Sequence, residues 1–211
     1  MDERALGRDP LVSAAISIEG SKLGEDSKEM DVRCRKAFHA LLDPICPKRK
    51  PSLHPCGGRD RAFKDFRTAH KLGKATFVAL LVDSEDPVED LNQPWEHLKD
   101  RDNWDRPHGA EDDQVFFMAT CMETWIVADR DALKRHFKHK LQESALPPPN
   151  DLEQRERQDV LGKLEHATRE CPNAFRKGNR SFDILAKPSP AVLQRNLPNF
   201  ERMERILKEK L

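Results

Sequence analysis

The run Ala75 to Val82, ATFVALLV, is apolar from end to end and leads straight into Asp83-Ser84-Glu85-Asp86. A strand with one wet face would alternate with polar residues, and this run does not. The run therefore predicts a strand covered on both faces. Such a strand belongs in a mainly parallel sheet flanked by helices, which places the chain in the α/β class. Leu11 to Glu19 (LVSAAISIE) predicts a second buried strand. Between the two, Met30, Cys34, Ala37, Phe38, Leu41 and Leu42 recur at helical spacing up to Pro44, and the offset from Asp26 to Glu29 resembles a capping box. The proline-rich stretch Cys46 to Pro55 reads as loop or short strand. Arg59 to Leu72 reads as a helix, with Ala62, Phe63, Phe66 and Ala69 on one face and Gly73 as its cap.

The later half is read in the same way. The thirty residues after the acidic run are polar, with Trp95 and Trp104 as isolated anchors. Val115 to Cys121 predicts a strand, and Met122, Trp125, Ile126, Leu133 and Phe137 a single helical stripe. Leu146-Pro-Pro-Pro-Asn150 breaks the chain. Beyond it come an amphipathic helix (Val160, Leu161, Leu164, Ala167, Cys171), a basic turn at 176–180 and a terminal helix. The expected division is an α/β core over 1–145 and a helical region over 146–211 packed on it.

Composition limits the function classes. Lys+Arg and Asp+Glu are 37 each, which argues against a protein that coats nucleic acid by bulk charge and leaves room for a local basic patch. Five widely spaced cysteines without a C-x-x-C argue against a disulfide framework or a zinc finger. The absence of tyrosine disfavours a tyrosine nucleophile. No apolar run nears the ~20 residues of a membrane span, and Met1 to Asp9 has no signal-peptide core, so a cytoplasmic protein without membrane contact is expected. Neither a Walker A loop nor a Rossmann glycine fingerprint is present.

The chemistry is concentrated in carboxylates at strand ends, where α/β sheets carry their functional residues. Glu19 closes the first strand, and Asp83, Glu85 and Asp86 close the apolar one. If these strands are parallel neighbours, their acids converge and repel, and a divalent cation such as Mg²⁺ or Mn²⁺ relieves the repulsion. The bland alternative is a solvated turn. Glu123, at the start of the next helix, is a further candidate ligand. Asp129 is expected to cap or orient, and Trp125 to pack in the core. Lys22, Arg59, Arg61, Lys177 and Arg180 are candidates for a phosphate-binding rim. Arg59 leads them because it follows the Gly57-Gly58 turn beside the first strand.

Several blocks together resemble a known family. They are I-E-G at 18–20, C-R-K-A-F at 34–38, C-G-G-R-D at 56–60 with D-F at 65–66, and L-L-V-D-S-E-D at 80–86. To these are added W-x-x-L-x-x-R-D-x-W at 95–104, M-E-T-W-I-V-A-D at 122–129 and R-K-G-N-R-S-F at 176–182. The pattern resembles the bacterial family catalogued as domain of unknown function 4276, which is similar to TOPRIM domains such as those of the overcoming-lysogenisation nucleases. TOPRIM domains place a glutamate after the first strand, matched by Glu19, and a D-x-D after a later one, matched by Asp83 and Glu85 with glutamate in place of the second aspartate. The resemblance implies a metal-dependent nuclease of DNA or RNA, using Glu19, Asp83 and Glu85 as ligands supported by Asp86 and Glu123, with Lys22 and Arg59 on the phosphate. It also implies a partner ATPase of the ABC/SMC or AAA type in anti-phage defence, with homo-oligomerisation open. The alternatives are a non-catalytic adaptor of such an ATPase and a phosphoryl-transfer enzyme acting on a small nucleotide.

Overall fold

The computed structural model describes residues 13–20 and 27–211. Four strands, β1 (Ala14–Ile18), β2 (Ser52–Pro55), β3 (Phe77–Asp83) and β4 (Val115–Met118), form one sheet in the order β2-β1-β3-β4. Every pairing is parallel, with Ile18 opposite Leu81 and Pro55, and Asp83 opposite Met118.

All seven residues of β3 are buried, which is why its sequence shows no alternation. The two-residue period of a strand instead divides its side chains between two cores. Phe77, Ala79 and Leu81 join one apolar cluster, and Val78, Leu80 and Val82 join the other. The larger core lies under α1 (Ser27–Leu42), α4 (Met122–Ala128), α5 (Arg130–Phe137), α6 (Arg157–Thr168), α7 (Asn179–Leu185), α8 (Pro190–Asn196) and α9 (Pro198–Lys210). The smaller one lies under α2 (Arg59–Leu72) and α3 (Pro94–Asp102).

The helix at Arg59 runs to Leu72 as expected. Gly73 ends it in the left-handed conformation (φ 58°) and donates its N–H to the carbonyl of Ala69. The expected first strand is shorter within the described residues, and Asp26 of the expected capping box lies outside them.

Two expectations require correction. Trp95 and Trp104 are not isolated. The ring of Trp104 stacks on Phe63 with centroids 4.3 Å apart, and Trp95 packs against Phe66 at 5.8 Å while its indole N–H donates to the carbonyl of Glu111. These contacts hold α3 against α2, so the polar composition of this stretch hid an anchored helix. The stripe from Met122 to Phe137 is also two helices, parted at Asp129. That carboxylate accepts from the N–H of Ala132 at 2.9 Å and from the N–H of Ser189 at 2.8 Å, capping α5 and tying it to the start of α8. Trp125 is fully buried, edge-on to Phe38 of α1 (6.1 Å) and to Phe200 of α9 (4.9 Å).

All five cysteines are buried and free. Burial pushes the thiols of Cys46 and Cys56 up to about 11, so they are protonated and inert at neutral pH. Among the described residues, no helix is long and apolar enough to cross a membrane.

Candidate metal centre

A doubly wound sheet opens a crevice where successive connections leave in opposite directions. Here β1 is followed outward by β2 on one side, while β3 and β4 lie on the other, so the crevice falls at the C-terminal ends of β1 and β3. Glu19 is the first residue past β1 and Asp83 the last of β3. The ladder continues into this turn region. The N–H of Glu19 donates to the carbonyl of Leu81 (2.9 Å), that of Ser84 to Met118 (3.2 Å) and that of Glu85 to Thr120 (2.8 Å). Gly20, at φ 145°, carries the chain away where a Cβ would lie 3.4 Å from the Phe182 ring.

The result is a convergence of carboxylates. Oxygens of Glu19, Asp83 and Glu85 all lie within 4.8 Å of one another. Asp83 is 6% exposed and accepts from the N–H of Met122 at 2.8 Å, while Glu19 accepts from the N–H of Asp83 at 3.1 Å. Glu85 stands at φ 68°, a left-handed conformation costly for a residue with a side chain and found preferentially at functional sites. Burial, then the neighbouring Glu19 and Glu123 charges, raise the Asp83 carboxyl well above its usual range. Burial raises Glu19 as well, against the opposing pull of Arg59. The cluster resists being fully ionised without added positive charge.

The cavity over Glu19 and Asp83 has a volume of about 230 Å³. Its charged lining is Glu19, Asp83, Glu123, Arg157 and Lys177, and its apolar walls are Met30, Met118, Met122 and Phe182. Glu123 is 1% exposed, and its Oε1 has no hydrogen-bond partner among the described residues. A buried carboxylate oxygen left without a partner is costly, and a bound cation is one remedy. The all-oxygen donor set, the repulsion within it and this orphaned oxygen fit a hard divalent cation.

The remaining candidates are distributed differently. Asp86 is not among the gathered carboxylates, which corrects the expectation of a third ligand on that loop. The chain turns at Glu85, and the Asp86 side chain is 69% exposed and paired with Arg101 at 3.1 Å. Arg59 reaches the site but is engaged within the protein. It grips Asp102 through two bonds of 3.0 and 2.6 Å, donates to the carbonyl of Asp83, lies 3.6 Å from Glu19 and sits over Trp104. Arg61 pairs with Asp65 on the surface (3.8 Å), and Lys22 lies outside the described residues.

The sequence reading did not single out Arg157, the first residue of α6, which donates to Glu85. It is embedded in the charged stretch Glu153 to Asp159, where neither periodicity nor composition marks any one residue. Asp102 and Arg101 were visible only as letters of the W-x-x-L-x-x-R-D-x-W block.

Fold and site together define an α/β domain with a four-stranded parallel sheet and an acidic cluster at its switch point. The sequence pattern of a family described as Domain of unknown function (DUF4276) matches residues 34–208, and the chain belongs to that family. No curated protein and no solved structure matches the sequence.

Proposed function

We propose that this protein is a metal-dependent phosphodiesterase of the TOPRIM-like type, with nucleic acid as its substrate. The observation that carries the reading is the meeting of Glu19, Asp83 and Glu85 within 4.8 Å beside the unpartnered Oε1 of the buried Glu123. Glu19, Asp83 and Glu85 would hold Mg²⁺ or Mn²⁺, with Glu123 next to them. When bound, such an ion offsets charge on a phosphate and makes water a better nucleophile near neutral pH.

The chain's own residues supply the rest. Arg59 braces Glu19 and the Asp83 carbonyl, and Asp102 in turn holds Arg59, so the carboxylates are positioned before a ligand arrives. Lys177 and Arg157 face the cavity as cations available to phosphate oxygens. Arg157 must leave Glu85 to do so, which couples occupation of the carboxylates to release of a phosphate-binding group. The partner ATPase and the defence role follow from the family resemblance alone and belong to the same proposal.

The test pairs calorimetric Mn²⁺ titration with cleavage of labelled DNA and RNA. Asp83→Asn retains an acceptor for the N–H of Met122 while removing the charge. It is expected to abolish metal binding and reduce cleavage to background with little change in melting temperature. Full cleavage by the folded variant at saturating metal would refute the site.

A second reading is favoured by the small volume and methionine-rich walls of the cavity: phosphoryl transfer on a free nucleotide. Metal-dependent turnover of mononucleotides, with oligonucleotides left intact, would select it.

A further inference from the structure

We propose that a single-stranded nucleic acid reaches the carboxylate cavity along a basic groove in the C-terminal helical region. The groove is a depression of about 550 Å³ whose lining includes Arg169, Arg176, Lys177 and Arg180 and, among the described residues, no acidic side chain. Lys177 lines both this groove and the carboxylate cavity, so the two adjoin at that residue. All four cations are exposed. Arg169 lies 3.4 Å from Glu170, and Arg180 donates to the carbonyl of Ala174 at 3.4 Å. Among the described residues, Arg176 and Lys177 have no ion-pair partner.

The inference rests on the phosphodiesterase reading and adds the form of its substrate and its route. The chain as a whole is electrically neutral, with 37 cationic and 37 anionic side chains. Four cations around one depression are therefore a local excess, the footprint of a polyanion. The adjoining cavity is walled by methionines and by Phe182. At about 230 Å³ it falls below the ~300 Å³ at which pockets for drug-sized ligands begin. That space suits one unpaired nucleotide, its base against apolar and aromatic surface and its phosphate toward the carboxylates. A positive groove leading to an aromatic surface is how proteins hold single strands without reading their sequence. A duplex has its bases stacked inside and could not offer one to the cavity without flipping it out.

The test is fluorescence anisotropy of a labelled oligonucleotide, single-stranded or duplex, with EDTA present so that nothing is cut. The wild type is compared with the triple variant Arg169→Gln, Arg176→Gln, Arg180→Gln across a salt series. Single-strand affinity is expected to fall at least about tenfold in the variant, and the slope of log K against log salt to shrink by about 2, at ~0.7 per phosphate contact. Melting temperature checks that the variant is folded. Photo-cross-linking of the strand to residues 169–180 in the wild type gives an independent reading.

Unchanged affinity and slope in the folded variant would overturn the groove and leave the metal reading intact. Duplex bound more tightly than single strand would overturn the proposed form of the substrate. Equal loss of binding to an acidic peptide or to anionic vesicles would assign the groove to another partner. Loss of metal binding in Asp83→Asn without cleavage of any nucleic acid by the wild type would strike the underlying reading instead.

Discussion

Buried carboxylates set the behaviour of this protein at the level of single residues, and they do so in two ways. Around the crevice several of them share one space. Outside the cavity lining, Glu153 accepts from the backbone N–H of Asn199 at 3.2 and 3.0 Å and from its side-chain amide at 2.8 Å. Burial pushes its carboxyl up from 4.5 to about 7, and the Asn199 hydrogen bonds only partly oppose this. The folded protein thus retains a proton that the unfolded chain releases. This contribution is complete below pH 4.5 and is lost as pH rises through about 7. Linkage puts its size at up to about 3 kcal/mol. Glu153→Gln is expected to flatten the fall in stability between about pH 5 and about pH 8, measured by urea unfolding at each pH. An identical decline in the variant would assign the pH dependence to other groups.

At the scale of elements, α4 joins the two halves of the larger core. All seven of its residues are buried, and Trp125 lies between Phe38 of α1 and Phe200 of α9. The same helix begins with Met122, whose N–H is held by Asp83, and carries Glu123 into the cavity. Packing and site are thus mechanically linked. Trp125→Ala is expected to cost about 3–5 kcal/mol through lost burial and the cavity left behind, read from the denaturation midpoint. Because the helix also carries Glu123, the variant should bind Mn²⁺ more weakly as well. Unaltered metal affinity in a destabilised but folded variant would show that α4 supports the fold without positioning the ligands.

The whole molecule responds to the cation through the fold. A ligand that binds only the native state stabilises it, by about 3 kcal/mol at a hundredfold excess over Kd. For a chain of this size that corresponds to a rise of about 5–11 °C in Tm. Mn²⁺ is expected to produce such a rise in the wild type and none in Asp83→Asn, as measured by differential scanning calorimetry. The rise should shrink as pH falls, because Asp83 and Glu19 titrate above their ordinary range and protons then compete with the metal for the same oxygens. A rise of equal size in the variant would place the metal elsewhere.

Much of this organisation was legible along the chain. Strand β3 declared itself because a strand buried on both sides has no polar face, and Gly73 marked the end of α2 because a left-handed cap disfavours other residues. The acids at 19 and 83 stood out by their position at the ends of apolar runs. Local pattern could not tell that Asp86 turns outward while Glu123 turns in, since that depends on the backbone reversal at Glu85 and on how α4 packs. Nor could it single out Arg157 among its charged neighbours, or show that Trp95 and Trp104 close over Phe63 and Phe66. Residue order and hydrophobic period, acting over a few neighbours, determined the α/β class and the placing of acids after apolar runs. The company each acid keeps was decided by strand order and helix docking, because charges interact through space and the chain must fold before residues 19, 83, 123, 157 and 177 can share one cavity.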